Sequence, residues 1–126
     1  MKRARKHLRE QIIDAGITHL DAGWAKFEFR FTSDIPCDPD SCAGFTNLNT
    51  YTIYVDDRIE SEAFREVILH EMTHVLLEIV GYTNPDDAKE FNPVNEELST
   101  NISRGFLLLM NLNPKLFKIL VAPNES

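Results

Sequence analysis

Apolar residues recur along this chain with two different periods, and the switches between them divide it into elements. Leu8, Ile12 and Ile13 share one face of a helix predicted over residues 3–15 and closed by Gly16. From Trp24 to Phe31 the period falls to two. Ala25, Phe27, Phe29 and Phe31 face one way and Lys26, Glu28 and Arg30 the other, the pattern of a half-buried strand. Residues 32–43 read as a loop broken by Pro36 and Pro39. Gly44 to Asn49 suits a short strand or one arm of a hairpin. Thr50 to Val55 is a clearer strand, with Tyr51, Ile53 and Val55 on one side. The helical period returns in Val67, Ile68, Val75, Leu76 and Ile79, predicting a helix over residues 61–80 with Ser61 as its cap, Glu62 in its first turn and Gly81 at its end.

After a polar, turn-rich connector (residues 82–93), Leu98, Ile102, Phe106 and Leu109 mark the inner face of a helix over residues 94–110. Asn113-Pro114 then opens a last helix, residues 114–121. The order predicts a single α+β domain spanning residues 1–126. Its small antiparallel sheet (residues 24–55) packs beside the 61–80 helix and the helix that follows.

Composition narrows the class. The chain is 126 residues long and 43% hydrophobic, enough to bury one core. It has no run of apolar residues long enough to span a membrane. Its net charge of −7 is uneven: Lys2, Arg3, Arg5, Lys6 and Arg9 crowd the first ten residues, leaving −11 on the rest. So acidic a body repels phosphates, which argues against nucleic acid as a partner. The basic run reads as the solvated face of the first helix, and His7 and His19 as surface histidines. No apolar segment follows the basic start, so no signal peptide is expected. The beginning at Met1 reads as that of a whole small cytoplasmic gene product. Cys37 and Cys42 are then expected as reduced thiols.

The 61–80 helix carries the candidate chemistry. His70-Glu71-Met72-Thr73-His74 is an H-E-x-x-H, and residues four apart on a helix share a face, so both imidazoles can reach one metal ion. Glu71, one residue on from His70, is placed to act as general base on a water held by that ion. Zinc in a catalytic site takes three protein ligands. No histidine follows His74, so a downstream carboxylate must serve. The candidates are Glu78, Asp86, Asp87, Glu90, Glu96, Glu97 and Glu125. Glu78, one turn past His74, suits a supporting role, whereas Glu96 and Glu97 open the next helix and can be aimed at the metal. Helical periodicity alone places Glu97 nearer the apolar face.

Asn95-Glu96-Glu97-Leu98-Ser99-Thr100 resembles the N-E-x-x-S-D element of the gluzincins, with Thr100 standing where that element has Asp. The whole plan of H-E-x-x-H helix, connector, Glu-bearing helix with Gly105, and closing Asn113-Pro114 resembles a minimal zincin-like domain. More narrowly, it is similar to the compact metallopeptidase-like proteins of phages and mobile elements related to the ImmA/IrrE type. The resemblance spans residues 42–120. It implies Zn²⁺ bound by His70, His74 and Glu96, with Glu97 as the alternative ligand or a support, and a cleft lined by an edge strand drawn from residues 44–55. The expected activity is hydrolysis of a peptide or protein substrate, Glu71 moving the proton to the leaving amine. Tyr82, Tyr54, Tyr51 and Arg104 are candidate donors to the transition state, with Tyr82 preferred. The alternative expectation is a catalytically silent metal-binding interaction or structural protein on the same scaffold.

Overall fold

The computed structural model describes residues 6–36, 42–81 and 96–122, with side chains described from residue 101 onward in the last stretch. Among the described residues lie four helices and a four-stranded sheet, an α+β domain. In chain order the elements are α1 (Leu8–Asp14), β1 (His19–Asp21), β2 (Lys26–Phe31), β3 (Gly44–Asn47), β4 (Thr52–Val55), α2 (Ser61–Val80), α3 (Glu96–Leu112) and α4 (Pro114–Leu120). No helix among the described residues is long and apolar enough to cross a membrane.

The strand order is β1-β2-β4-β3. β1 runs antiparallel to β2 and β3 antiparallel to β4, but β4 lies parallel to β2, with Phe29 opposite Ile53 and Phe31 opposite Val55. The sheet is therefore mixed, a correction to the wholly antiparallel one expected. The chain reverses once between β2 and β3 and again between β3 and β4. Two reversals restore the first direction, and β4 slots between its predecessors. β3 is left on the edge.

β2 buries Phe27 and Phe29 while Lys26, Glu28 and Arg30 stay exposed, the alternation its sequence dictates. β1, at three residues, was too short for a periodic signal. Tyr51 was expected within a strand beside Ile53. It instead holds φ +54° in the turn before β4, exposed and edge-on to Phe27 at 5.4 Å.

α2 buries Phe64, Ile68, Met72, Val75 and Leu76, a stripe at helical spacing that seals the sheet's inner face. Gly81 ends it in the left-handed conformation, φ +83°, which a residue with a Cβ adopts only under strain. Ser61 does not cap its own helix. Its hydroxyl accepts the Leu8 N–H at 3.0 Å, so it satisfies an orphan donor at the start of α1. The His7 ring nitrogens reinforce this junction, Nδ1 accepting from Arg9 N–H and Nε2 lying 2.8 Å from the Ile59 carbonyl. Two further ties hold the C-terminal half. Asn113, 8% exposed, accepts from Asp21 N–H and donates to the Asp21 and Leu109 carbonyls, all within 2.9 Å. Gly105 lets α3 lie close on α2, since a Cβ there would fall 2.4 Å from Leu76 Cδ1.

Cys42 is disulfide-bonded, against the expectation of reduced thiols. Cys37, the other cysteine of the chain, lies outside the described residues. Reduced thiols were expected as a consequence of cytoplasmic residence, and a disulfide lends that residence no support.

Candidate metal centre

The stripe that buries one side of α2 includes a carboxylate. Glu71 lies between Ile68 and Val75 on the inward face and is 4% exposed, whereas its neighbours on the motif, His70 and His74, are exposed. Spacing explains the split. His70 and His74 are one turn apart on the outer face, and Glu71 sits about 100° round from His70, toward the sheet. The two imidazoles stand edge to face with centroids 5.1 Å apart. Ligand-capable atoms of His70, Glu71 and His74 all lie within 4.8 Å of one another, a donor set of nitrogen and oxygen that fits a divalent ion such as zinc.

A buried carboxylate needs a partner, and β3 supplies it. The Thr46 hydroxyl donates to Glu71 Oε1 at 2.8 Å and lies 3.2 Å from the Glu71 carbonyl oxygen. Oε2 carries no hydrogen bond among the described residues. It faces Gly44, where a Cβ would come within 2.9 Å of it and 2.7 Å of Val67 Cγ1. Glycine at 44 is thus what lets the strand approach the carboxylate. Gly44 and Thr46 are two apart and share the sheet face that looks at α2. That pairing is visible in the sequence, but its apposition to Glu71 is tertiary and was not foreseen.

Between the start of β3 (Ala43, Gly44) and α2 (Glu66, Val67, His70, Glu71) opens a cleft of about 350 Å³. Cys42 stands at its rim, Sγ 2.7 Å from the Gly44 carbonyl oxygen. Asp56 N–H donates to the Ala43 carbonyl, and Gly44 stands opposite Val55. In an antiparallel ladder this puts Gly44 and Thr46 at non-hydrogen-bonded positions, their N–H and C=O groups turned away from β4, on the side where no further strand lies among the described residues.

Of the other predicted residues, Glu78 lies on α2 but outside the His70–Glu71–His74 cluster, lining a separate cleft with Trp24 and Leu108. Tyr54 stacks on Phe45 at 6.2 Å; alternation puts both on the sheet face opposite Gly44 and Thr46. Tyr51 occupies its turn and Arg104 the exposed side of α3, so neither is a wall of the cleft beside Glu71. Glu96 and Glu97 open α3, but their side chains, like Tyr82, lie outside the described residues. No family model, curated protein or solved structure matches the chain.

Proposed function

We propose that the protein is a zinc-dependent metallopeptidase of the compact zincin kind, acting on a peptide held extended along β3. The environment of Glu71 supports this reading above all. A carboxylate is expensive to bury, and a site that only holds a metal has no use for one set beside its ligands and steadied by a dedicated hydroxyl. In this reading His70 and His74 hold the ion, with Glu96 as third ligand and Glu97 as the alternative. Zinc, when bound, supplies Lewis acidity toward a carbonyl and acidifies water.

The chain's own groups do the rest. Thr46 occupies Oε1 and fixes the carboxylate plane, so Oε2 is the atom that accepts a proton from water and returns it to the departing amine nitrogen as the C–N bond breaks. The outward N–H and C=O groups of Thr46 and the N–H of Gly44 bind the substrate main chain by strand addition. Tyr82, directly after Gly81, is the proposed donor to the developing oxyanion, Tyr51 and Tyr54 being engaged elsewhere.

Metal analysis of protein purified without added metal, followed by incubation with an unstructured protein panel, tests the proposal. About one zinc per chain and cleavage abolished by Glu71→Gln, with metal and fold retained, are expected. His70→Ala and His74→Ala should lose the metal. Separate Glu96→Ala and Glu97→Ala proteins, titrated with zinc, decide the third ligand. Cleavage unchanged in Glu71→Gln refutes the mechanism. A protein that binds zinc and cleaves nothing is the silent metal-binding scaffold.

A further inference from the structure

The cleft beside Glu71 has a charge character that the proposed reaction does not explain. Its walls among the described residues include two carboxylates, Glu66 and Glu71, and no lysine or arginine. Glu71 is buried and held by Thr46, but Glu66 is exposed and has no ion pair among the described residues. The surrounding sequence deepens the field. Residues 31–57, which include β3 and β4, hold not one lysine, arginine or histidine, although Asp56 is paired with Arg58 just beyond them. Along α2 stand Glu62, Glu66, Glu71 and Glu78 against Arg65 alone. Arg65 is turned away, its guanidinium donating to the Leu120 and Ala122 carbonyls at the end of α4.

We infer that the cleft selects a basic side chain, lysine or arginine, in an extended peptide lying on β3, with Glu66 as the residue that reads it; this rests on the peptidase reading of the same site. The dimensions suit such a side chain. Glu66 is one turn before His70 on the same face of α2, about 6 Å along the helix axis, the reach of a lysine or arginine stem from a main chain bound near His70. Val67, on the cleft wall with Glu66 and His70, is apolar where the methylenes would lie. Val67 covers the stem, and Glu66, exposed, meets the charge at the solvent rim. The acidic body draws a cationic peptide in and slows an acidic one.

The test uses zinc-loaded protein and neutral-ended Ala/Thr-based peptides identical but for one central Lys, Arg, Leu or Glu. Binding is read by calorimetry and cleavage by mass spectrometry on the same samples. Lys and Arg peptides should bind roughly tenfold more tightly than the Glu peptide at low salt, with the margin shrinking as ionic strength rises. Glu66→Gln should narrow the margin and Glu66→Lys reverse it, with zinc affinity unchanged in both. Equal binding of all four peptides, no binding of any, or a preference for Lys that survives Glu66→Lys overturns the inference. Charge-selective binding without cleavage sinks the hydrolytic reading and leaves the recognition standing; cleavage without charge preference does the opposite.

Discussion

Replacing Gly44 by alanine probes the closest approach in the candidate site. The new methyl carbon would stand 2.7 Å from Val67 Cγ1, 2.9 Å from Glu71 Oε2 and 3.0 Å from Glu71 Cγ. Relaxed carbon contacts lie near 3.5–4.0 Å, so the overlap with Val67 is roughly 1 Å. Neither neighbour yields easily. Val67 is β-branched on a helix and confined to one χ1 well, and Glu71 is buried and tied to Thr46. Overpacking of this kind costs about 1–3 kcal/mol, while removing a glycine from the unfolded ensemble returns about 0.4–1 kcal/mol. The net loss should be about 1–2 kcal/mol, a fall in Tm of roughly 3–8 °C. Urea and thermal unfolding of the metal-free protein measure it directly. Zinc affinity should change little, because the contact is with Glu71 and not with His70 or His74, whereas any hydrolysis should drop sharply. A Gly44→Ala protein as stable as the wild type would refute the close packing of β3 on α2.

Two further predictions concern the frame. Asn113→Ala removes three hydrogen bonds, one buried and two part-buried, and takes the partner from the Asp21 N–H and carbonyl, while Leu109 O keeps the residue 113 backbone N–H, so chemical denaturation should show a loss of about 1–3 kcal/mol; a loss under half a kilocalorie would mean that water replaces the amide without cost. The Arg58 guanidinium hydrogen-bonded to Asp56 holds that carboxyl below its ordinary range. A depressed folded pKa gives stability that is present above the unfolded value of about 4 and lost as pH falls through the folded one. Asp56→Asn should therefore lower Tm at pH 7 and converge on wild type toward pH 2, and a Tm difference independent of pH would exclude the linkage.

The elements whose evidence is local were legible in the sequence. α2 spans residues 61–80 as its apolar stripe and Gly81 predict, and β2 alternates as Phe27, Phe29 and Phe31 require. What escaped depends on pairing or packing across the chain. The parallel match of β2 with β4 joins residues more than twenty positions apart and leaves no mark on either strand's pattern. β1 is recruited to the sheet by β2 and anchored by Asn113, ninety-two residues away. Ser61 carries the composition of a cap and caps a different helix, a choice set by how α1 docks. At the candidate site, the imidazole pair and the intervening carboxylate follow from helical geometry alone, and their atoms gather as that geometry requires. The burial of Glu71 and its hold by Thr46 come from the sheet edge laid against the helix.

That edge has a second consequence. Backbone groups turned away from β4 can pair with the same strand of another molecule, the usual route from a sheet to edge-to-edge aggregation. β3 is only four residues long, and alternate residues alone face outward, so a second copy could form few bonds. Two such edges would also bring together two bodies that each carry net negative charge. Brevity and like charge thus guard the strand from its own kind without a residue spent on covering it.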